Sequence, residues 1–200
     1  MNIITISREF GSGGRTIGRA LAETLGYKYY DKEIIQEIAK QVNLSEEEVM
    51  KLSEENKATF LQMPFENYTG MDRRSVDVLR AQRQVLLQIA EKNENCVIIG
   101  RSGGAILGDE HPLRLFIYAD TQTKLDNIRA TQEKYANSTD KQIIRTMKRI
   151  DSIRAAYFEL VSGEQWGDRN NYDLCINTSG CAMKNLVKPI ADYAVSWFED

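Results

Sequence analysis

Six consecutive residues, Gly11-Ser12-Gly13-Gly14-Arg15-Thr16, bring backbone freedom, a fixed cation and a hydroxyl into one short stretch. Glycines let the main chain curl so that several N–H groups turn inward on an anion, where side chains would obstruct the approach. A helix beginning at the end of such a turn adds its unpaired amides and its dipole. Arg15 then supplies a full positive charge, and Thr16 an oxygen suited to a magnesium ion. The chemistry indicated is the holding of a polyphosphate by Gly11, Ser12, Gly13, Gly14, Arg15 and Thr16. The strict pattern G-x-x-x-x-G-K-[ST] is met only at its end, because Glu9 stands where its first Gly belongs and Arg15 replaces its Lys. Arg grips phosphate with a bidentate fork and keeps its charge, but that fork is larger and less mobile than an ammonium. The plainer alternative is a tight strand-to-helix turn with no ligand, although a cation and a hydroxyl directly after the glycines are more than a turn needs.

The elements that must position this loop can be read around it. Short β-branched runs bounded by turn residues predict strands at Ile3–Ser7, Tyr27–Tyr30, Cys96–Gly100, Arg114–Ala119 and Tyr172–Asn177. The first helix runs from the glycine turn to about Leu25. Ile17, Leu21 and Leu25 lie on one face of it, and Gly26 suits its C-terminal cap. Strands alternating with helices predict an α/β fold whose parallel sheet is covered on both sides and takes ligands at the carboxyl ends of its strands. Two helical stretches exceed that alternation. One runs from about Lys32 to Arg80 and is acidic in its middle (Glu46-Glu47-Glu48, Glu54-Glu55), with Met50, Met63 and Met71 read as its core. The other runs from about Ala130 to Gly163, and between Arg129 and Arg154 it holds seven basic residues against three acids. Each is too short for a core of its own and reads as an insertion.

Composition sets the outer limits. A hydrophobic share of 42% with 28% charged residues is ordinary for a globular chain, and a net charge of −3 argues against general nucleic-acid binding. No apolar run approaches the roughly 20 residues that span a bilayer. The segment Met1-Asn2-Ile3-Ile4-Thr5-Ile6 has neither the basic flank nor the cleavage site of a signal peptide. Cys96, Cys175 and Cys181 with the single His111 make neither a disulfide framework nor a zinc set, and read as buried thiols of a cytoplasmic protein.

Several runs, in order, make the chain similar to a known family. Ile4-Thr5-Ile6-Ser7-Arg8 leading into Gly11-Ser12-Gly13-Gly14-Arg15 resembles the opening of the cytidylate kinase-like family of phosphate-loop (P-loop) nucleoside monophosphate kinases. Leu25-Gly26-Tyr27, then Tyr30-Asp31-Lys32-Glu33-Ile34-Ile35, is similar to the family's second strand and the start of its acceptor-binding insertion. Cys96-Val97-Ile98-Ile99-Gly100-Arg101 resembles its third strand, and Asp151, Arg154, Ala155 and Tyr157 its lid motif. Trp166-Gly167-Asp168 and Tyr172-Asp173-Leu174, followed by Ile176-Asn177-Thr178-Ser179, resemble its last strand and the loop after it. The resemblance implies a three-layer P-loop kinase fold with a five-stranded parallel sheet in the order 2-3-1-4-5. It further implies one domain over 1–200: a core of 1–31, 81–129 and 164–200, a helical acceptor-binding insertion at 32–80 and a helical lid at 130–163.

What it implies for function is ATP- and Mg²⁺-dependent phosphoryl transfer to a small phosphorylated acceptor, a pyrimidine nucleoside monophosphate (CMP or dCMP) first among them. No nucleic-acid or membrane partner is expected. Such catalysis is mainly positioning and charge neutralisation behind a closing lid. Arg15 and the lid residues Lys148, Arg149 and Arg154 would neutralise the transferring group, with Asp151 orienting Arg154; the ordinary alternative is a solvated charged helix. Asp31 suits magnesium waters or an acceptor phosphate, and equally the cap of the next helix. Arg101, at a strand end beside Ser102-Gly103-Gly104, suits an acceptor phosphate or a structural ion pair. In many cytidylate kinases an Asp follows that arginine; here it is Ser102. Arg8 reaches the same anions or pairs with Glu9. Thr178, Ser179 and Gly180 form a polar turn where the donor adenine would rest in this fold, or a plain loop. Trp166 reads as packing, and His111 needs no role. Two other readings stay open: a nucleotide-binding regulator or degenerate kinase without efficient turnover, and a kinase with a non-nucleotide acceptor.

Overall fold

Strand β1 (Ile3–Arg8) is apolar on both faces, with Ile3, Ile4 and Ile6 at most 1% exposed, as a central parallel strand must be. In the computed structural model, which describes residues 1–55 and 73–199, β1 lies between β3 (Cys96–Ile99) and β4 (Leu113–Tyr118). β2 (Lys28–Tyr30) and β5 (Leu174–Asn177) form the edges, so the order is β2-β3-β1-β4-β5 with every pair parallel. All five carboxyl ends therefore open on one side of the sheet. There the chain carries Arg8, Asp31, Arg101, Ala119 and Thr178 just at or beyond its strands.

Helices cover both faces. α1 (Gly14–Leu25) and α8 (Met183–Glu199) lay Ile17, Leu21, Ala191 and Ala194 against Ile4, Ile6, Val97 and Leu115. On the opposite face α2 (Lys32–Val42), α3 (Glu46–Glu55), α4 (Arg73–Glu91) and the short α5 (Gly103–Ile106) pack against Ile3, Cys96 and Ile98 through Ile34, Ile38, Val78 and Leu86. The described helices of the stretch expected as a helical insertion thus supply a covering layer of the sheet itself. α6 (Thr121–Thr131) and α7 (Asp140–Ser162) share a smaller cluster of Leu125, Ile128, Ile143 and Met147, with Phe10 against it. A capping box between Thr139 and Gln142 starts α7 and satisfies amides that would otherwise lack partners.

Three details differ from the sequence expectation. Strand bounds shift by a residue or two; Tyr27 leaves β2 because its N–H donates to the Ala22 carbonyl at 2.9 Å, closing α1 behind left-handed Gly26. Met50 is 47% exposed, because α3 turns Val49 inward and the next residue outward, while Met63 and Met71 lie outside the described residues. Of the three thiols only Cys96 is buried. Cys175 faces out of edge strand β5, where Ile176 takes the inward place. Trp166 is the packing residue it reads as in the sequence, standing edge-on to Phe116 with ring centroids 5.2 Å apart.

Candidate active site

The loop between β1 and α1 is curled by Gly11 (φ 84°) and Gly13 (φ 85°), the latter capping α1. Both values lie in the left-handed region that side chains disfavour, and a Cβ on Gly13 would stand 2.4 Å from the Met183 sulfur. The loop is braced from beneath. Ser12 is fully buried, and its hydroxyl donates to the Glu9 carbonyl at 2.9 Å. The Thr178 hydroxyl, 1% exposed, donates to the Ser12 carbonyl at 2.9 Å, and Asn127 Nδ2 donates to the Gly11 carbonyl at 2.9 Å. The Gly11 and Ser12 carbonyls are thereby engaged within the protein, and the Ser12 N–H donates to the Glu9 carbonyl at 3.3 Å. Thr178, read from the sequence as part of either a donor-base turn or a plain loop, is buried and serves as a strut of the phosphate loop. Ser179 belongs to the same framework, since its hydroxyl accepts the Asp120 N–H at 2.7 Å.

Glu9 does not block the turn. Its carboxylate accepts from Lys124 Nζ at 2.8 Å and from the Ala119 N–H at 3.3 Å, on the α6 side. Of the two partners open to Arg8, Glu9 is thus taken by Lys124. The Arg8 guanidinium instead lies over Gly100, where an added Cβ would fall 1.6 Å from Nη1. Gly100 has φ 71°, so absence of a side chain serves there both backbone and neighbour.

A cleft of about 700 Å³ opens in front of the loop. Gly11, Gly13, Gly14, Arg15 and Thr16 line it together with Glu9, Tyr29, Asp31, Arg8 and Arg154. Arg15 turns across it to Asp31 as a bidentate pair, Nε to Oδ2 at 2.8 Å and Nη2 to Oδ1 at 3.1 Å. Asp31 is 8% exposed and sits at the start of α2, yet its side chain makes no capping bond. The carboxylate is spent on Arg15 instead. Arg154 reaches in from α7, its Nη1 donating to the Arg8 carbonyl at 2.8 Å and to Asp151 Oδ1 at 3.1 Å. The same Asp151 oxygen accepts the Phe10 N–H at 2.7 Å, so one carboxylate fixes both the loop's flank and the arginine. Lys148 and Arg149 are exposed on α7 and are not among the residues that line the cleft.

The electrostatics are those of crowded cations. Burial, then the charges of Arg154 and Arg15, hold Arg8 well below the usual arginine range; Asp31 opposes this and Arg101 adds to it. Burial likewise brings Arg154 down to about 10, with Asp151 countering and Arg15 and Arg101 reinforcing. Asp151 is pushed up by burial despite Arg154 and the Phe10 amide. Both members of that pair are drawn toward neutrality, so desolvation outweighs their attraction. Arg101 is thus close enough to Arg8 and Arg154 to repel both. It occupies a left-handed position (φ 61°), and its carbonyl accepts from Gln82 Nε2 at 3.3 Å.

Residues 3–180 match the cytidylate kinase-like family. The chain belongs to that family. It is 26% identical over 195 residues to a cytidylate kinase from Natronomonas pharaonis, covering 97% of this chain and 89% of that protein. It is also 25% identical over 185 residues to a shikimate kinase from Francisella tularensis subsp. novicida, covering 92% and 90%. Among solved structures, an uncharacterized protein from Eubacterium ventriosum superposes with a TM-score of 0.73 at 26% identity, over 98% of this chain and 99% of that one. Family and fold together make the chain a nucleotide-binding kinase-type phosphotransferase. Among the described residues, no helix is long and apolar enough to cross a membrane, and no cluster of three or more His, Cys, Asp or Glu gathers to hold a metal.

What sequence reasoning missed in the site are the supports. Thr178, Asn127 and the Glu9–Lys124 pair hold the loop, and each joins residues more than a hundred positions apart. No spacing rule connects such residues. A hint lay in Glu9 itself, since a charged residue in place of the pattern's first Gly needs a partner somewhere.

Proposed function

We propose that this protein is a magnesium- and ATP-dependent kinase acting on a small phosphorylated acceptor, a pyrimidine nucleoside monophosphate of the CMP or dCMP kind. The observation that carries the reading is the set of four guanidiniums, Arg8, Arg15, Arg101 and Arg154, gathered at the carboxyl edge of the sheet beside a glycine turn. Cations repelling one another in a partly buried site are relieved by bound anions, and two phosphate-bearing substrates bring them. The amides of Gly11 to Gly14, with Ser12 holding the turn, and the Arg15 side chain bind the donor phosphates. Asp31 and Arg101 address the acceptor. Arg154, oriented by Asp151, faces the transferring group, and Lys148 or Arg149 joins it when the segment 130–163 closes as a lid. No side-chain nucleophile is required, because the acceptor's own oxygen attacks.

The residues fit magnesium in one particular way. Mg²⁺ keeps several waters and binds mainly to substrate phosphates plus one or two protein oxygens. Thr16 and Asp31 both line the cleft and supply that sparse set. When bound, the ion neutralises charge on the donor phosphates. The site residues' task is to leave room for it and to hold the two phosphates in line.

The test is a coupled ADP-release assay against CMP, dCMP, UMP, AMP and small hydroxylated acids. ADP that appears only with a pyrimidine monophosphate supports the reading, and ATP binding with no acceptor-dependent ADP refutes it in favour of a nucleotide-binding regulator. The pairing of Glu9 with Lys124 argues for the enzyme, since it offsets a negative charge beside the loop. A second reading keeps the chemistry and changes the acceptor to a small hydroxylated acid. It is favoured by the equal similarity to a shikimate kinase and by Ser102, 7% exposed, standing where many cytidylate kinases carry an Asp.

A further inference from the structure

Gln82 stands on α4 where an apolar residue is expected. It falls four residues from both Val78 and Leu86, in the row that packs toward the sheet, and it is 2% exposed. A buried amide is costly unless it is hydrogen-bonded, so its partners show what it is for. Its Nε2 donates to the Arg101 carbonyl at 3.3 Å and to the Tyr157 hydroxyl. A carbonyl only accepts, which fixes the amide nitrogen on that side. Both hydrogens of one nitrogen are thus spent outside α4, one on the turn after β3 and one on α7.

Each partner carries an arginine of the site. Arg101 and Ser102 are consecutive non-glycine residues in the left-handed region, at φ 61° and 52°. Such a backbone persists only where its surroundings hold it. The turn has bonds of its own, from the Gly103 N–H to the Gly100 carbonyl at 3.1 Å and from the Ala105 N–H to the Ser102 carbonyl at 3.0 Å. The Arg101 carbonyl between them is the one that Gln82 takes. On α7, Tyr157 lies three residues after Arg154 and shares its face. Arg101 and Arg154 repel each other, which pushes their carriers apart when no anion is bound. Gln82 itself does not line the cleft.

We propose that Gln82 is a positioning residue: by joining the Arg101 turn to α7 through one amide nitrogen, it holds Arg101 and Arg154 together at the sheet edge before any substrate binds. A site assembled only part of the time binds its ligand more weakly by that fraction, so the loss of Gln82 falls on acceptor affinity. The inference rests on the kinase reading for that consequence, but not for the hold on the backbone.

Gln82→Met keeps the length and helix preference of the side chain and removes both donors. In the ADP-release assay its acceptor KM is expected to rise about tenfold, with kcat and the ATP KM within about twofold of wild type. Tyr157→Phe raises the same KM, and the double variant stays within about twofold of Gln82→Met, because one tie cannot be lost twice. Amide hydrogen exchange reads the turn with no substrate present: Gly103 and Ala105 exchange about tenfold faster in Gln82→Met, while the β3 amides do not change. A lower Tm with acceptor KM and turn exchange unchanged makes Gln82 a packing residue and overturns the proposal, and so do multiplying effects in the double variant. In the wild-type protein the side-chain amide of Gln82 exchanges at least about tenfold more slowly than that of Gln84, exposed on the same helix. Equal rates overturn the proposal even if no variant folds. The kinase reading fails separately, when no acceptor releases ADP from the wild-type protein, and the exchange measurements then decide on Gln82 alone.

Discussion

Replacing Thr178 by Val isolates the support under the phosphate-binding turn. The side chain keeps its shape and loses one hydroxyl, which donates to the Ser12 carbonyl at 2.9 Å and stands 3.3 Å from the Tyr118 carbonyl. Tyr118 keeps the Thr178 N–H at 3.0 Å, so the loss falls on Ser12, a fully buried residue in the middle of the turn. Leaving a buried acceptor without this partner costs about 1–3 kcal/mol. For a chain of 200 residues that is a fall in Tm of roughly 2–12 °C. Because the affected carbonyl belongs to the turn, the harm is functional too: freed to rotate, Ser12 misaligns the amides beside it. Thermal denaturation with and without ADP–magnesium reads both effects. The variant has a lower Tm and a smaller ligand-induced rise than wild type, while Thr178→Ser, which keeps the hydroxyl, recovers most of each. A Tm within about 1 °C of wild type, together with the same ligand-induced rise, refutes the assignment of Thr178 as a strut.

Three further outcomes are expected. Arg15→Ala lowers turnover in the ADP-release assay on the order of 10²-fold or more, as the loss of one charge stabiliser does; unchanged turnover would mean the donor site is misplaced. Asp31→Asn releases Arg15 from its bidentate pair. With Arg15 more than half exposed that pair is worth only about 1 kcal/mol, so ATP without magnesium binds roughly 5-fold tighter, and equal affinities count against the pairing. Burial pushes the Cys96 thiol from 9.0 up to about 11. The folded state then holds this proton more tightly than the unfolded chain, so its contribution to stability is complete below about pH 9 and is lost as pH rises through about 11. A thiol reagent at pH 8 labels Cys175 and Cys181 in the native protein and Cys96 only in denaturant; rapid native labelling of Cys96 speaks against its burial.

Much of the fold is local in origin, and therefore readable. The runs Ile3-Ile4-Thr5-Ile6 and Cys96-Val97-Ile98-Ile99 cannot face water on either side, which places them centrally in a parallel sheet. Gly26 marks the end of α1 because the left-handed cap there suits a residue without Cβ. The helical character of Lys32–Val42, Glu46–Glu55 and Arg73–Glu91 was equally clear, but its role was not. Only packing shows Ile34, Ile38 and Val78 to be half of the sheet's cover. Met50 shows the limit of composition, since a helix turns 100° per residue and one step separates buried from exposed.

The candidate site divides in the same way. The glycines, Arg15 and Thr16 are contiguous, so strand, turn and helix alone bring them together, and the amino-acid order determines that an anion can be held there. Which charges meet that anion was decided by tertiary structure. Asp31 could have capped α2 and was taken by Arg15; Arg8 could have paired with Glu9 and was left facing Arg101 and Arg154. Each outcome depends on elements far apart in the chain reaching the same sheet edge. Coulomb energy and burial depend on distances that no local pattern contains.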